Sequence, residues 1–290
     1  MKNNITLTSI KPAFKTVAIF GDDKGGVTKT ASCANIADGL RQFGYNIQLV
    51  DGDSTNTTLS ELEPKAVQIN GRDESALDQL FVNVASEEHD LVMLDMPGSS
   101  GDSLSRYFQS RGFETFLEMG VRIVVAMVLT ETIDSAKGAI SWIEAFIDKA
   151  GFLLVANHRD TPEGKPFEIE KITAGEILLE IAENRIIHIP KFSPYMLTQY
   201  NNIKGVPSDY LIGGRVAEKL KLSALHSSPW STHLKRIVRN IEPHLEWLTG
   251  RKPTETPKYL LEEKAATVSE TSKFQSFKTK VEEKTRENAK

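Results

Sequence analysis

Short apolar runs recur along the chain, and the segments between them change period. Thr16–Gly21 (TVAIFG) is apolar for most of its length and ends in a glycine-rich stretch, after which Ala31–Phe43 spaces its apolar residues at helical intervals. Similar runs follow at Asn46–Val50, Asp90–Leu94, Val121–Leu129, Phe152–Ala156 and Arg185–Ile189. Each has the length of a buried strand. Helical spacing over Ile133–Lys149 and Ile169–Glu183 predicts crossover helices, so the alternation points to an α/β fold: a mostly parallel, twisted sheet flanked by helices. Two later helices are expected at Asp209–Leu222 and Thr232–Leu248, the second closed by Gly250.

Beyond Gly250 the pattern fades. Lys, Glu, Thr and Ser dominate, and too little apolar surface is left to offset the entropy of ordering. The expectation is one domain over residues 1–250 and a charged tail over 251–290, disordered or partly helical. Within that tail Phe274, Phe277 and Val281 share a helical face amid Lys273, Lys278, Lys280 and Lys284. This is either a short helix for a partner or a membrane surface, or a solvated extension.

Composition narrows the field. Lys plus Arg number 35 against 39 Asp plus Glu, a formal net charge of −4 over 290 residues, which excludes a protein that coats nucleic acid by bulk charge. Cys33 is the one cysteine, so an intramolecular disulfide framework, a Cys-rich zinc module and a Cys-ligated cluster within one chain are excluded. It reads as a small buried hydrophobe, and Trp142, Trp230 and Trp247 read as packing residues. The apolar runs fall short of the roughly 18 residues of a membrane span, and Met1–Thr8 lacks a signal-peptide core. A soluble, cytoplasmic protein is expected. The histidines are scattered, with no spacing that suggests a transition-metal site.

The chemistry concentrates after the first strand. Asp22-Asp23-Lys24-Gly25-Gly26-Val27-Thr28-Lys29-Thr30 leads directly into a helix, where glycines let backbone N–H groups approach an anion and the helix N-terminus adds its positive end. Lys29 is placed to bridge β- and γ-phosphates and the Thr30 hydroxyl to bind Mg²⁺. The plain alternative is a glycine turn between strand and helix. Two acidic motifs follow in order: Asp51-Gly52-Asp53 after the second run, and Asp95-Met96-Pro97-Gly98 after Leu91–Leu94. Each sits where strand ends gather around a ligand in an open α/β sheet. A carboxylate at Asp95 can hold Mg²⁺, and Asp53 can position an attacking water. Singly, either is equally suited to capping a strand or turn.

With these motifs in sequence the chain resembles the ParA/MinD family of P-loop ATPases, whose deviant phosphate loop has the form KGGxGK[ST]. It stands here as Lys24-Gly25-Gly26-Val27-Thr28-Lys29-Thr30, and the likeness spans roughly Thr16 to Leu248. The resemblance implies ATP and Mg²⁺ as ligands. It makes Lys24 a signature lysine that reaches the partner's phosphates in an ATP-bound homodimer, Lys29 the phosphate lysine, and Asp53 hydrolytic. Thr30, Asp53 and Asp95 would be metal-linked, while residues 24–31, ending at Ala31, would cradle the nucleotide. Asn157 would face adenine, although Asn157-His158-Arg159-Asp160 also resembles a guanine-reading NKxD motif and a loop cap is the simpler role. Pro190, in Ile189-Pro190, would line the base pocket, with Val206 and Pro207 as its other wall.

The chain departs from the family at Thr28, which stands in place of glycine, and at Asp22 and Asp23, which add negative charge at the mouth of an anion site. Slow hydrolysis is therefore expected. Arg215, Lys219, Lys221, Lys235, Arg236 and Arg239 form a candidate patch for non-specific DNA binding, with a solvated charged face as the plain alternative. The leading reading is an ATP-dependent dimeric switch that positions or segregates a DNA cargo at the nucleoid through a centromere-binding or cargo adaptor, as in plasmid partition or stability, and in conjugation by extension. The alternatives are a membrane-surface positioning ATPase resembling MinD, or a weakly hydrolytic scaffold that recruits a partner through its tail.

Overall fold

The seven strands among the described residues all run in one direction. The computed structural model describes residues 14–21, 28–86, 88–131, 133–172 and 174–261. The strands are β1 (Lys15–Gly21), β2 (Ile47–Asp51), β3 (Val67–Gln68), β4 (Leu91–Asp95), β5 (Val121–Leu129), β6 (Gly151–Asn157) and β7 (Ile186–Ile189). They lie in the order β3-β2-β4-β1-β5-β6-β7, every neighbouring pair parallel. Parallel neighbours need crossovers, and helices supply them. In chain order these are α1 (Lys29–Arg41), α2 (Thr58–Leu62), α3 (Glu74–Ser86), α4 (Gly101–Arg111), α5 (Phe113–Glu118) and α6 (Ile133–Phe146). There follow α7 (Gly175–Ile181), α8 (Pro194–Asn202), α9 (Arg215–Leu220), α10 (Ala224–Ile241) and α11 (Leu245–Thr249).

The strand period of two sorts the core into two layers. In β1, Ala18 and Phe20 face Ala37 and Leu40 of α1 and Leu234 and Ile237 of α10. Val17 and Ile19 point the other way, into Phe81 of α3, Phe108 of α4 and Trp142 of α6. Because β1 is covered on both faces, it reads as a continuous apolar run and not as an alternation. Cys33, Trp142 and Trp230 are fully buried, as packing residues should be. Trp247 is partly buried, with the Arg185 guanidinium 4.2 Å from its ring.

The later elements differ from the expected ones. Thr232–Leu248 is not one helix. α10 begins earlier, at Ala224, and stops at Ile241, a 3₁₀ turn spans Glu242–His244, and α11 resumes. Pro243, which has no N–H to donate, sits at this break. Of Asp209–Leu222 only Arg215–Leu220 is α-helical, since Gly213 takes a φ of 84° and Gly214 lies so close to the 208–209 carbonyls that a Cβ would meet them at 2.5–2.6 Å. Ile169–Glu183 splits into a 3₁₀ turn and α7, with Ala174 left-handed between them.

The chain also stays packed past Gly250, where the tail was expected to begin. Arg251 pairs with Asp90 and stacks over Tyr45 at 4.8 Å, the Tyr45 hydroxyl donates to the Arg251 carbonyl at 2.9 Å, and Leu260 is 3% exposed within the core. The body therefore includes 251–261. The face carrying Phe274, Phe277 and Val281 lies outside the described residues.

Candidate functional site

In an open parallel sheet a ligand crevice forms beyond the C-terminal strand ends, where successive connections turn in opposite directions. Here β1 is followed by β2 and β4 on one side, whereas β4 is followed by β5 on the other, so the ends of β1 and β4 flank that crevice. The register brings the acidic motifs to this place. Asp95 lies opposite Phe20 of β1 and opposite Asp51 of β2. The intervening residue must be small: the Gly52 N–H donates to the Asp95 carbonyl at 2.8 Å, and a Cβ at Gly52 would stand 2.9 Å from that oxygen.

α1 enters the same place with Lys29 and Thr30 in its first turn. Lys24, Gly25, Gly26 and Val27, with Asp22 and Asp23, lie outside the described residues. Thr28 caps the helix in the left-handed conformation, φ 62° and ψ 26°. The Lys29 ammonium pairs with Asp95 Oδ1, and the Thr30 hydroxyl donates to Asp95 Oδ2 at 2.6 Å. Asp95 is 2% exposed. One cation, one hydroxyl and one buried carboxylate thus converge on a helix N-terminus, a donor set suited to phosphate and a hard divalent cation.

Asp53 is placed differently from Asp95. Its Oδ1 accepts the Thr55 N–H at 3.1 Å, the Thr55 hydroxyl at 2.7 Å and the Asn56 N–H at 3.1 Å, closing the turn after β2. Burial works against its charge, but these hydrogen bonds and the Lys29 ammonium outweigh it and hold the carboxyl below the ordinary range. In the structure it is a turn-former, with no hydrogen bond to Thr30 or Asp95. Asp51 is pushed upward, chiefly by burial and also by the Asp95 charge, while it accepts the Asp53 N–H at 3.1 Å and the Ser60 hydroxyl at 3.2 Å.

Beside Thr28 opens a cavity of about 250 Å³ whose lining includes Thr28, Ala31, Asn157 and Pro190, all singled out in the sequence. Asn157, at the end of β6, is held at both ends of its carboxamide, which donates to Ser32 Oγ at 2.9 Å and accepts the Arg159 N–H at 3.0 Å. It therefore caps its loop and ties β6 to α1 while forming part of the cavity wall. Val206 and Pro207 do not line this cavity. Val206 borders a separate groove with Asp38 and Arg41, while Phe192 and, from α8, Leu197 and Tyr200 complete the lining here. Sequence reading passed over α8, yet Ser193-Pro194 is a helix-start signature: Ser193 Oγ accepts the Met196 N–H at 3.3 Å and Pro194 occupies the first turn.

The expected basic patch divides. Arg215 is consumed by Asp209 at 2.8 Å and by the carbonyls of Leu62 and Lys204. Lys219 and Lys221 are exposed before α10, whereas Arg236 and Arg239 lie on the outer face of its second half, about 20 Å further along at the helical rise. Lys235 sits 5.1 Å from the Tyr259 ring. Among the described residues no helix is long and apolar enough to cross a membrane.

No protein-family profile and no curated protein matches the chain. Among solved structures it is similar to the MinC:MinD cell division complex of Aquifex aeolicus, at 17% identity and a TM-score of 0.45, over 78% of this chain and 95% of that one. It is also similar to the septum site-determining protein MinD of Pyrococcus horikoshii with Mg-ADP, at 16% and 0.44, over 79% and 96%. A third likeness is to the signal recognition particle receptor FtsY of Elizabethkingia anophelis, at 13% and 0.41, over 64% and 61%.

Proposed function

We propose that this protein is an ATP-binding switch with slow, Mg²⁺-dependent hydrolysis. The observation that carries the reading is the convergence of Lys29 and Thr30 on Asp95, beside an apolar cavity of nucleobase size at the start of α1. Lys29 would exchange its pairing with Asp95 for the phosphates, while Thr30 and Asp95 would hold Mg²⁺. The ion, when bound, neutralises charge on the phosphates. The purine would lie between Pro190 and Tyr200, with Asn157 fixing the wall. Asp53, ionised in its turn, would accept a hydrogen bond from the attacking water once the turn rearranges.

ATP would close a homodimer in which Lys24 reaches the partner's phosphates. That dimer would bind DNA non-specifically and position or segregate a DNA cargo through an adaptor, with residues beyond Leu261 as a tail appended to one ATPase domain. Light scattering and DNA co-sedimentation with ATP, ADP and a slowly hydrolysed analogue test this. ATP-dependent dimers that pellet with DNA are expected. A protein that binds ATP yet stays monomeric and off DNA would overturn the switch, and unchanged ATP affinity in Lys29→Ala would overturn the site.

A further inference from the structure

A second cavity, of about 670 Å³, adjoins the first, and Pro190, Lys191 and Phe192 line both. At its floor His158 and His188, near the C-terminal ends of β6 and β7, bring Nε2 and Nδ1 to 3.0 Å. Burial keeps both imidazoles neutral, His158 being pushed down to about 4 by burial and by His188, so the pair offers hydrogen bonding without charge. Three cations, Lys165, Lys191 and Arg236, share the lining with a single carboxylate, Glu163. Lys191 donates to the Thr161 carbonyl at 3.2 Å and so braces the wall. Among the described residues neither Lys165 nor Arg236 takes part in an ion pair.

This concentration of positive charge stands on a chain whose net charge is −4, so it does not follow from composition. Cations left without carboxylate partners around a concave, partly apolar site are matched to a phosphate group, which guanidinium and ammonium groups both bind well. The volume lies within the range of small-molecule sites. We propose that this cavity is a second binding site that takes a phosphate ester, with Arg236 and Lys165 on the phosphate and the His158–His188 pair as its hydrogen-bonding floor. The ester is either a phosphodiester of a nucleic-acid strand or the phosphate of a free nucleotide. The site stands whether or not the Lys29 loop binds ATP.

Equilibrium binding to the full chain carrying Lys29→Ala tests it, because that background weakens phosphate capture at the first site. The probes are a fluorescein-labelled single-stranded oligonucleotide and AMP. At least one should bind, and adding Lys165→Ala with Arg236→Ala should weaken it tenfold or more. For the single-stranded oligonucleotide, losing two phosphate contacts should also lower the slope of log affinity against log salt by about 1.4. Arg236→Lys should restore part of the affinity, and the melting temperature should not move; if the double variant does not fold, Arg236→Gln alone is read in the same way. Oligonucleotide binding alone identifies a strand, and AMP binding alone a free nucleotide. Failure of both probes, or an affinity and slope indifferent to Lys165 and Arg236, overturns the proposal.

Discussion

Thr28→Gly is the substitution that bears most directly on how the site works. Thr28 closes the N-terminus of α1 at φ 62° and ψ 26°, a conformation in which a side chain with a Cβ costs about 1–2 kcal/mol. Glycine escapes that cost but loses roughly 0.5–1 kcal/mol in backbone entropy, which leaves a net gain in stability of about 0.5–1 kcal/mol. Thr28 also lines the apolar cavity, so its side chain stands where a nucleotide would enter. If it lengthens one loop hydrogen bond to a charged phosphate, the loss is about 1.5–3 kcal/mol. Should that loss fall on the transition state, turnover is slowed by roughly ten- to a hundredfold, at 1.36 kcal/mol per decade. Urea unfolding of Thr28→Gly should therefore show a higher midpoint at unchanged slope, and steady-state ATPase assays a rate at least severalfold higher. Thr28→Val, which keeps the branch and drops the hydroxyl, should gain neither. A folded, ATP-binding Thr28→Gly protein that is no more stable and no faster would refute the reasoning. A slowed Thr28→Val would show that the hydroxyl had replaced the lost contact.

Three further outcomes are expected. Lys29→Ala should weaken ATP binding, read by calorimetry, and should also lower stability, because it strips the buried Asp95 carboxylate of its cation. Asp53→Ala should leave ATP affinity within a fewfold while it slows hydrolysis, and should cost about 1 kcal/mol in urea unfolding by opening the turn at Thr55 and Asn56; unchanged stability would contradict that role. Burial pushes His233 down to about 3, so its contribution to stability is present above the ordinary histidine value and is lost as pH falls from about 6.5 towards 3. Asp38, pushed up to about 6 chiefly by burial, opposes it, since its contribution is present at low pH and lost as pH rises through 6. His233→Leu should flatten the acid loss by about 1.4 kcal/mol per pH unit between pH 6 and 4, and an unaltered unfolding profile would mean that the histidine charges without cost.

Among the described residues, the meeting of Lys29, Thr30 and Asp95 at one edge of the sheet was legible in the sequence because each belongs to a short motif at a strand end, and strand ends in a parallel sheet point to one edge whatever the order of the strands. The sheet itself was legible for a similar reason, since buried strands such as β1 and β5 are apolar along their length and the segments between them have helical period. Helix limits were less so: the breaks at Pro243 and Gly213-Gly214 lie within patterns that keep helical spacing, and spacing alone does not register a missing N–H or a carbonyl too close for a Cβ. The partners of each site residue were not legible at all. That Asn157 is tied to Ser32, that Tyr200 and not Val206 lines the same cavity, that Arg215 is spent on Asp209, and that Arg251 and Leu260 pack onto the body are matters of which surfaces meet. A linear pattern records which residues can be buried or charged. Only the packed chain, with strand order and helix placement fixed by burial on both faces of the sheet, decides what each of them touches.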